Sequence, residues 1–335
     1  MSMIEFDNVT KIYDERTVAI EDVSFEVEAG TTTVLVGPSG CGKTTTMTLV
    51  NRLEEPTEGT VYFEGTDVQA LDPIELRRNI GYVIQEIGLF DHMTVGENVA
   101  TVPDLKGWDA DRIDDRVDEL LELMDLPPAA YRDQYPPSLS GGQRQRVGVA
   151  RALAADPDVL LMDEPFGALD PITRENLQDE FLDIQSQINT TILFVTHSIE
   201  EALKMGDKIA IFDVGELVQY DTPRNVLENP KSGFVKDFIG ADRTLKKLQV
   251  TMVDDVMEPA GPERRGLVDS VEAGQPAAAD GGDLVPVSPT DSVQVALSRI
   301  IQAQTDAIPV VDGDDVVGVV TESAIRDHRA HGAGD

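Results

Sequence analysis

Hydrophobic and polar positions divide the chain into segments of contrasting period. Ile4 to Val9 and Val23 to Val27 alternate as half-buried strands do, and the turn Glu28-Ala29-Gly30 leads into a short apolar, β-prone run, Thr33 to Val36. Further strands are expected over Thr60 to Phe63, Gly81 to Ile84, Val159 to Met162, Thr191 to Val195 and Lys208 to Phe212. Between them lie helix candidates: Thr45 to Leu53, Pro73 to Arg78, Glu97 to Val102, Asp111 to Leu123, the stretch after Gln143 through Ala154, Glu175 to Ile188 and Ile199 to Lys204. In Asp111 to Leu123 and just beyond, Ile113, Val117, Leu120, Leu121 and Met124 recur at helical spacing. Prolines 127, 128, 136 and 137 mark loops. Strands alternating with helices argue for an α/β core.

Beyond about Gly240 the pattern changes. Glu258 to Asp283 is rich in Pro, Gly, Ala and acid and reads as a loop or flexible insert. From Val285 a compact β-α-β-β-α pattern begins, with helix Ser292 to Gln302, strands Ala307 to Val311 and Val316 to Thr321, and a terminal helix from Glu322. A length of 335 residues fits one large domain followed by a smaller one.

Charge narrows the function classes. The 62 acidic residues outnumber the 27 Lys and Arg, giving −35, and the acids are spread along the chain. A solvated acidic surface disfavours binding to nucleic acid phosphates and suits a halophilic, salt-rich cytoplasm in which self-repulsion is screened. The single cysteine, Cys41, permits no intrachain disulfide and fits a reducing interior; no secretory leader is expected before Glu5. The longest apolar runs fall far short of the roughly 20 residues of a membrane helix, so a role at a membrane would need a partner that spans it.

Three stretches carry candidate chemistry. Gly37-Pro38-Ser39-Gly40-Cys41-Gly42-Lys43-Thr44 fits G-x-x-x-x-G-K-[ST] and sits between a strand and a helix candidate that opens at Thr45. Its glycines would let backbone N–H groups converge on phosphate oxygens at a helix N-terminus, with Lys43 on the β- and γ-phosphates and Thr44 on Mg²⁺. The apolar strand Val159 to Met162 ends in Asp163-Glu164, placing one carboxylate beside the metal and the next where it can polarise water. Leu139-Ser140-Gly141-Gly142-Gln143, before a helix, is a second anion-binding candidate. Two phosphate cradles about a hundred residues apart are hard to place in one site unless the second faces the nucleotide of another subunit.

In this order the motifs resemble those of the nucleotide-binding subunits of ATP-binding cassette (ABC) transporters. The resemblance implies a P-loop NTPase of ABC type over residues 1–243: a RecA-like core, an antiparallel β subdomain and a helical subdomain over about 86–157. It implies that Tyr13 stacks on adenine, that Gln85 is the Q-loop glutamine ligating Mg²⁺, that Glu164 is the general base and that His197, after Thr196, contacts the γ-phosphate. Ala168-Leu169-Asp170 matches the D-loop, with Gly167 where Ser is common. Two subunits would sandwich two ATP molecules, so Ser140, Gly141, Gly142, Gln143 and Asp170 of one would serve the site holding Lys43 of the other. ATP and Mg²⁺, a homodimer, permease subunits and, indirectly, an extracytoplasmic binding protein are the implied cofactors and partners, at the cytoplasmic face of the membrane.

Tyr82 to Phe90, Asp91-His92-Met93-Thr94, Val102-Pro103 and Gly107-Trp108 narrow the resemblance to importers of glycine betaine, proline, choline or carnitine. The tail, residues 244–335, is similar over Val253 to Met257 and Pro289 to His328 to one cystathionine-β-synthase (CBS) module, a small α+β domain. Such modules usually occur in tandem, so pairing between subunits is implied; Ala324 stands where nucleotide-binding modules carry Asp. Other cargoes, such as an amino acid, polyamine or metal, remain open, as does a soluble ABC ATPase outside transport.

Overall fold

The computed structural model describes residues 2–14, 16–85, 87–167, 169–188, 190–259, 285–313 and 315–331. They form two compact units, Met1–Thr222 and Pro223–Asp335.

The first unit holds two sheets. β1 (Ser2–Tyr13), β2 (Thr17–Glu28), β4 (Glu58–Phe63) and β5 (Thr66–Asp67) form an antiparallel sheet in the order β2-β1-β4-β5. The second sheet runs β10-β9-β3-β8-β7-β6, from β3 (Thr32–Val36), β6 (Ile80–Val83), β7 (Val159–Asp163), β8 (Thr191–Thr196), β9 (Lys208–Asp213) and β10 (Glu216–Asp221). All its pairings are parallel except β9 with β10. Every residue of β3, β7 and β8 is buried, which explains their unbroken apolar sequences: a strand covered on both faces has no polar side to alternate with. Phe6 stacks on Phe25 at 4.5 Å and Phe25 tilts against Tyr220 at 5.4 Å, so one core joins the sheets.

This strand order positions the chemistry. Parallel β3, β8, β7 and β6 are consecutive neighbours, so their C-terminal ends lie along one edge, where open α/β sheets bind ligands. The segments that leave those ends carry Gly37 to Thr44, His197, Asp163-Glu164 and Gln85, respectively.

Helices α1 (Lys43–Val50), α2 (Pro73–Arg78), α3 (Val95–Leu105), α4 (Ala110–Leu123), α5 (Pro128–Tyr131), α6 (Gly141–Leu153), α7 (Pro171–Gln187) and α8 (Ile199–Met205) complete the unit. In α4 the apolar stripe Ile113, Val117, Leu120 and Leu121 is buried, as its spacing requires. Some ends differ from the sequence-based expectation. α1 opens at Lys43 and stops before Arg52, whose φ of 53° turns the chain. α7 begins four residues early because Asp170 accepts a cap hydrogen bond from Thr173 N and Pro171 occupies the first turn. β10 has no counterpart among the expected strands; Val214 and Gly215, both at positive φ, make the turn that pairs it with β9.

In the second unit α9 (Pro223–Glu228), α10 (Gly233–Ile239) and α11 (Arg243–Val250) precede α12 (Val293–Gln302), β11 (Ala307–Asp312), β12 (Asp315–Thr321) and α13 (Glu322–His331). Leu248, Val253, Val287, Val293, Ile300, Ile308, Val310, Val320 and Ile325 form its core. Helix–strand–strand–helix order matches the expected α+β pattern, but the strand expected from Val285 reduces to a single parallel bridge between Val287 and Val310. The expected insert lies, from residue 260 onward, outside the described residues.

Candidate active site

Lys43 opens α1 and is only 5 % exposed; its ammonium donates to the carbonyls of Gly37 (2.8 Å) and Pro38 (2.9 Å). The phosphate loop is thus folded around its lysine. Gly42 shows why the loop needs glycine there: its φ is 100°, and a Cβ would meet Ile20 Cγ2 at 2.4 Å and the Ala19 carbonyl at 2.5 Å. Gly215 N donates to the Cys41 carbonyl, so the β9–β10 turn braces the loop from a second side. Burial pushes the Cys41 thiol above its ordinary range, against the opposing pull of Lys43.

Thr44 Oγ1 donates to Asp163 Oδ1 at 3.3 Å, across from the end of β7. Burial raises the Asp163 carboxyl pKa, Thr44 opposes this, Glu164 adds to it and Lys43 opposes it. A largely buried carboxylate beside a hydroxyl suits a divalent cation whose other ligands are phosphate and water oxygens. Among the described residues no group of three or more His, Cys, Asp or Glu could itself hold a metal. Tyr82, packed nearby on β6, has its hydroxyl pushed up to about 12 by burial and by Asp163.

Glu164 is the hub. Its Oε2 accepts from Gln85 Nε2 at 3.4 Å and its Oε1 lies 3.1 Å from His197 Nδ1. The residue adopts φ of 45°, uncommon for a side chain other than glycine, and is held there by Glu164 N to Val195 O (2.9 Å) and Gly167 N to Glu164 O (3.0 Å). Lys43, Thr44, Gln85, Asp163, Glu164 and His197 therefore line one sheet edge.

The remaining expected residues lie elsewhere. Tyr13 ends β1, with the Lys11 ammonium 4.9 Å from its ring centroid. Ser140 caps α6 reciprocally with Gln143: Ser140 Oγ accepts from Gln143 N (3.2 Å), and Gln143 Oε1 accepts from Ser140 N (2.9 Å). Gln143 Nε2 donates to Tyr131. Asp170 caps α7, and its bonds from Thr173 hold its carboxyl below the usual range. Ala168 lies outside the described residues. Within one protomer, Ser140 and Asp170 thus serve as caps of their own helices, and Gln143 also reaches Tyr131 on α5.

Sequence reasoning missed Arg151 and Glu201. Arg151 donates to the carbonyls of Ile87 and Gly88, both at 2.7 Å, gripping the segment after Gln85; burial lowers its pKa. Glu201 is buried, and nothing in its spacing separates it from an ordinary cap residue.

Comparison with known proteins identifies the family. Residues 20–167 match the ABC transporter family, and residues 282–331 match the CBS domain. The chain is 44 % identical to the carnitine transport ATP-binding protein OpuCA of Listeria monocytogenes, covering 94 % of this chain and 74 % of that protein. It is 40 % identical to the osmoprotectant import ATP-binding protein OsmV of Salmonella typhimurium, covering 98 % and 97 %. Among solved structures, the dimeric MJ0796 bacterial ABC transporter cassette superposes with a TM-score of 0.59 at 34 % identity, over 66 % of this chain and 99 % of that one. With a phosphate loop, a paired carboxylate site and relatives matched along nearly its whole length, the chain belongs to the ATP-binding proteins of ABC transporters.

Proposed function

We propose that this chain is the ATP-hydrolysing subunit of an importer for quaternary ammonium osmolytes such as glycine betaine, choline or carnitine. The observation that carries the catalytic part is Glu164 held between Gln85 and His197 at the sheet edge that bears Lys43. The loop from Gly37 to Thr44, with Thr45, would cradle the phosphates through backbone N–H groups and Lys43, and Tyr13 would stack on adenine. Thr44, Asp163 and the Gln85 amide oxygen would hold Mg²⁺, which when bound offsets charge on the β- and γ-phosphate oxygens. Glu164 takes a proton from the attacking water, and His197 orients Glu164 while facing the γ-phosphate. Ser140, Gly141, Gly142, Gln143 and Asp170 act on the nucleotide of a second copy, whose own set completes the first site.

The relatives' names, carnitine and osmoprotectant import, support the cargo class. No helix among the described residues is long and apolar enough to cross a membrane, so permease subunits would supply the path and the chain would sit peripherally on the cytoplasmic face. A groove of about 380 Å³ beside the segment after Gln85, with Leu53, Phe90, Arg78 and Arg151 in its lining, supports permease contact there. The ATP-binding domain is read as running through 243, the remainder being a regulatory module. Asp312 pairs directly with Asp315 across the β11–β12 hairpin, a like-charge pair that salt would relieve, which supports a response to ionic strength; Asp314 lies outside the described residues. Asp312→Asn should lower the salt needed for transport in vesicles reconstituted with the permease; an unchanged salt profile removes this role.

The test of the catalytic reading is Glu164→Gln. Hydrolysis should fall at least about a hundredfold while ATP binding persists, and light scattering with Mg-ATP should show a lasting dimer. A fully active variant overturns the assignment of the base.

A further inference from the structure

Three helices of the first unit begin with Ser or Thr followed three residues later by Glu or Gln. Thr94–Glu97 and Ser140–Gln143 close both halves of the reciprocal cap. Ser198–Glu201 closes only one: Ser198 Oγ accepts from Glu201 N at 3.2 Å, but the Glu201 side chain does not return to Ser198 N. That N–H goes to Thr196 Oγ1 at 3.1 Å. The carboxylate turns inward, and the residue is 8 % exposed.

Its partners there are specific. Oε2 accepts the Thr196 hydroxyl at 2.5 Å, and Oε1 accepts Gln178 Nε2 at 3.1 Å. Gln178 is fixed from its other end by Lys204, whose ammonium donates to Gln178 Oε1 at 3.4 Å. Thr196 therefore gives its one proton to Glu201 and receives from Ser198, so residues on both sides of His197 are bound into one buried network. Arg174 Nε lies 3.9 Å from Glu201 Oε1 and donates to the Phe166 carbonyl at 3.2 Å, while its Nη2 donates to the Leu169 carbonyl at 3.0 Å. Burying a carboxylate costs several kcal/mol unless it is paired and hydrogen-bonded. A surface cap needs no such burial.

We propose that Glu201 is a positioning residue of the hydrolytic site: it fixes the backbone around His197 to α7 and, through Arg174, to Phe166 and to Leu169 beside Asp170, so that the groups serving the two nucleotides of a dimer are registered against each other. This rests on the reading of His197 and Asp170 given above. Glu201 acts through Thr196 and Arg174 rather than on ATP, so nucleotide affinity, set at the Lys43 loop, should survive its loss.

The test uses the full chain, with turnover normalised to sites counted by titration with a fluorescent ATP analogue. Glu201→Ala and the near-isosteric Thr196→Val should each lower kcat roughly tenfold with KM for ATP within about twofold, whereas Thr196→Ser, which keeps the hydroxyl, should retain most of the rate. In the background of His197→Ala, adding Glu201→Ala should cost less than about threefold more, because a residue that works through another is not additive with it. A wild-type rate in Thr196→Val, or full additivity with an impaired His197→Ala, overturns the positioning role alone. Wild-type turnover by His197→Ala overturns the reading of the site and this proposal with it.

Discussion

The N-termini of α1 and α6 are both glycine-bearing, and both invite an anion, yet they are built in opposite ways. At α1 the backbone is wedged: Gly42 sits at φ of 100° against Ile20 and Ala19, Lys43 is folded onto loop carbonyls, and Thr44 reaches Asp163. At α6 the cap is self-contained, Ser140 and Gln143 closing on each other, and the positions of Gly141 and Gly142 meet only ordinary or slightly tight van der Waals neighbours. Backbone geometry at the first end is dictated by its own protomer. At the second end the protomer leaves glycine unexplained, and the proposed approach of a second copy's nucleotide would supply the reason.

The sharpest break of this contrast is Gly42→Ala. An added methyl would overlap Ile20 and Ala19 and hold alanine at a backbone angle it resists, costing about 3 kcal/mol. Thermal unfolding of the full chain should shift down by roughly 6–10 °C, and ATP affinity should fall more than about tenfold. A variant that melts and binds as the parent does would mean the wedge is not the constraint it looks to be.

Asp163→Asn probes the same end with the opposite sign of stability. The carboxyl pKa in the folded chain is raised, chiefly by burial, so its favourable contribution is complete only below the unfolded value and is lost as pH rises through the folded one. At neutral pH without nucleotide the ionised group is therefore a liability. Asn should raise Tm by about 2 °C and flatten that acid-side decline, while hydrolysis falls about a hundredfold on the proposed role of Asp163 as a metal ligand. Lowered Tm in the nucleotide-free protein would show that Thr44 and Lys43 outweigh burial.

The α1 side of this contrast was legible in the sequence because each element announces itself locally. Continuous apolar runs mark β3 and β7 as buried parallel strands, and the residues just after such a strand must emerge at the sheet edge, so Lys43, Asp163 and Glu164 were found by position as much as by type. Gln85 and His197 are single polar residues at the ends of β6 and β8; only the family order singled them out, and only strand order makes them neighbours of Glu164. Glu201 was hidden because Ser-x-x-Glu before an apolar helix is the ordinary signature of a surface cap. Whether the glutamate closes the cap or turns inward depends on Thr196 and Gln178, the latter 23 residues away. Helices α9, α10 and α11 went unassigned for a different reason. At six to eight residues each, they are too short for periodicity to stand out, and their buried positions, such as Val226, Val235 and Leu248, gain meaning only from tertiary packing.

The smallest expected change in stability is also the most discriminating. Gly142 has no positive φ, and a methyl there would lie 3.3 Å from Thr173 Cγ2 and 3.4 Å from Leu177 Cδ1, a fit that side-chain adjustment of a few tenths of an ångström can absorb. Alanine also gains up to about 1 kcal/mol over glycine inside a helix, so the two effects nearly cancel and Tm should move by less than about 2 °C. Nothing in the protomer then predicts a loss of activity. If the N-terminus of α6 presses on the γ-phosphate bound to a second copy, however, the methyl intrudes where backbone N–H groups must approach, and turnover should fall at least about tenfold with ATP binding to the isolated chain unchanged. Loss of turnover at constant Tm and constant binding is the signature of a residue whose partner lies in another subunit. Gly142→Ala with full turnover would leave α6 a merely self-capped helix and dissolve the contrast with α1.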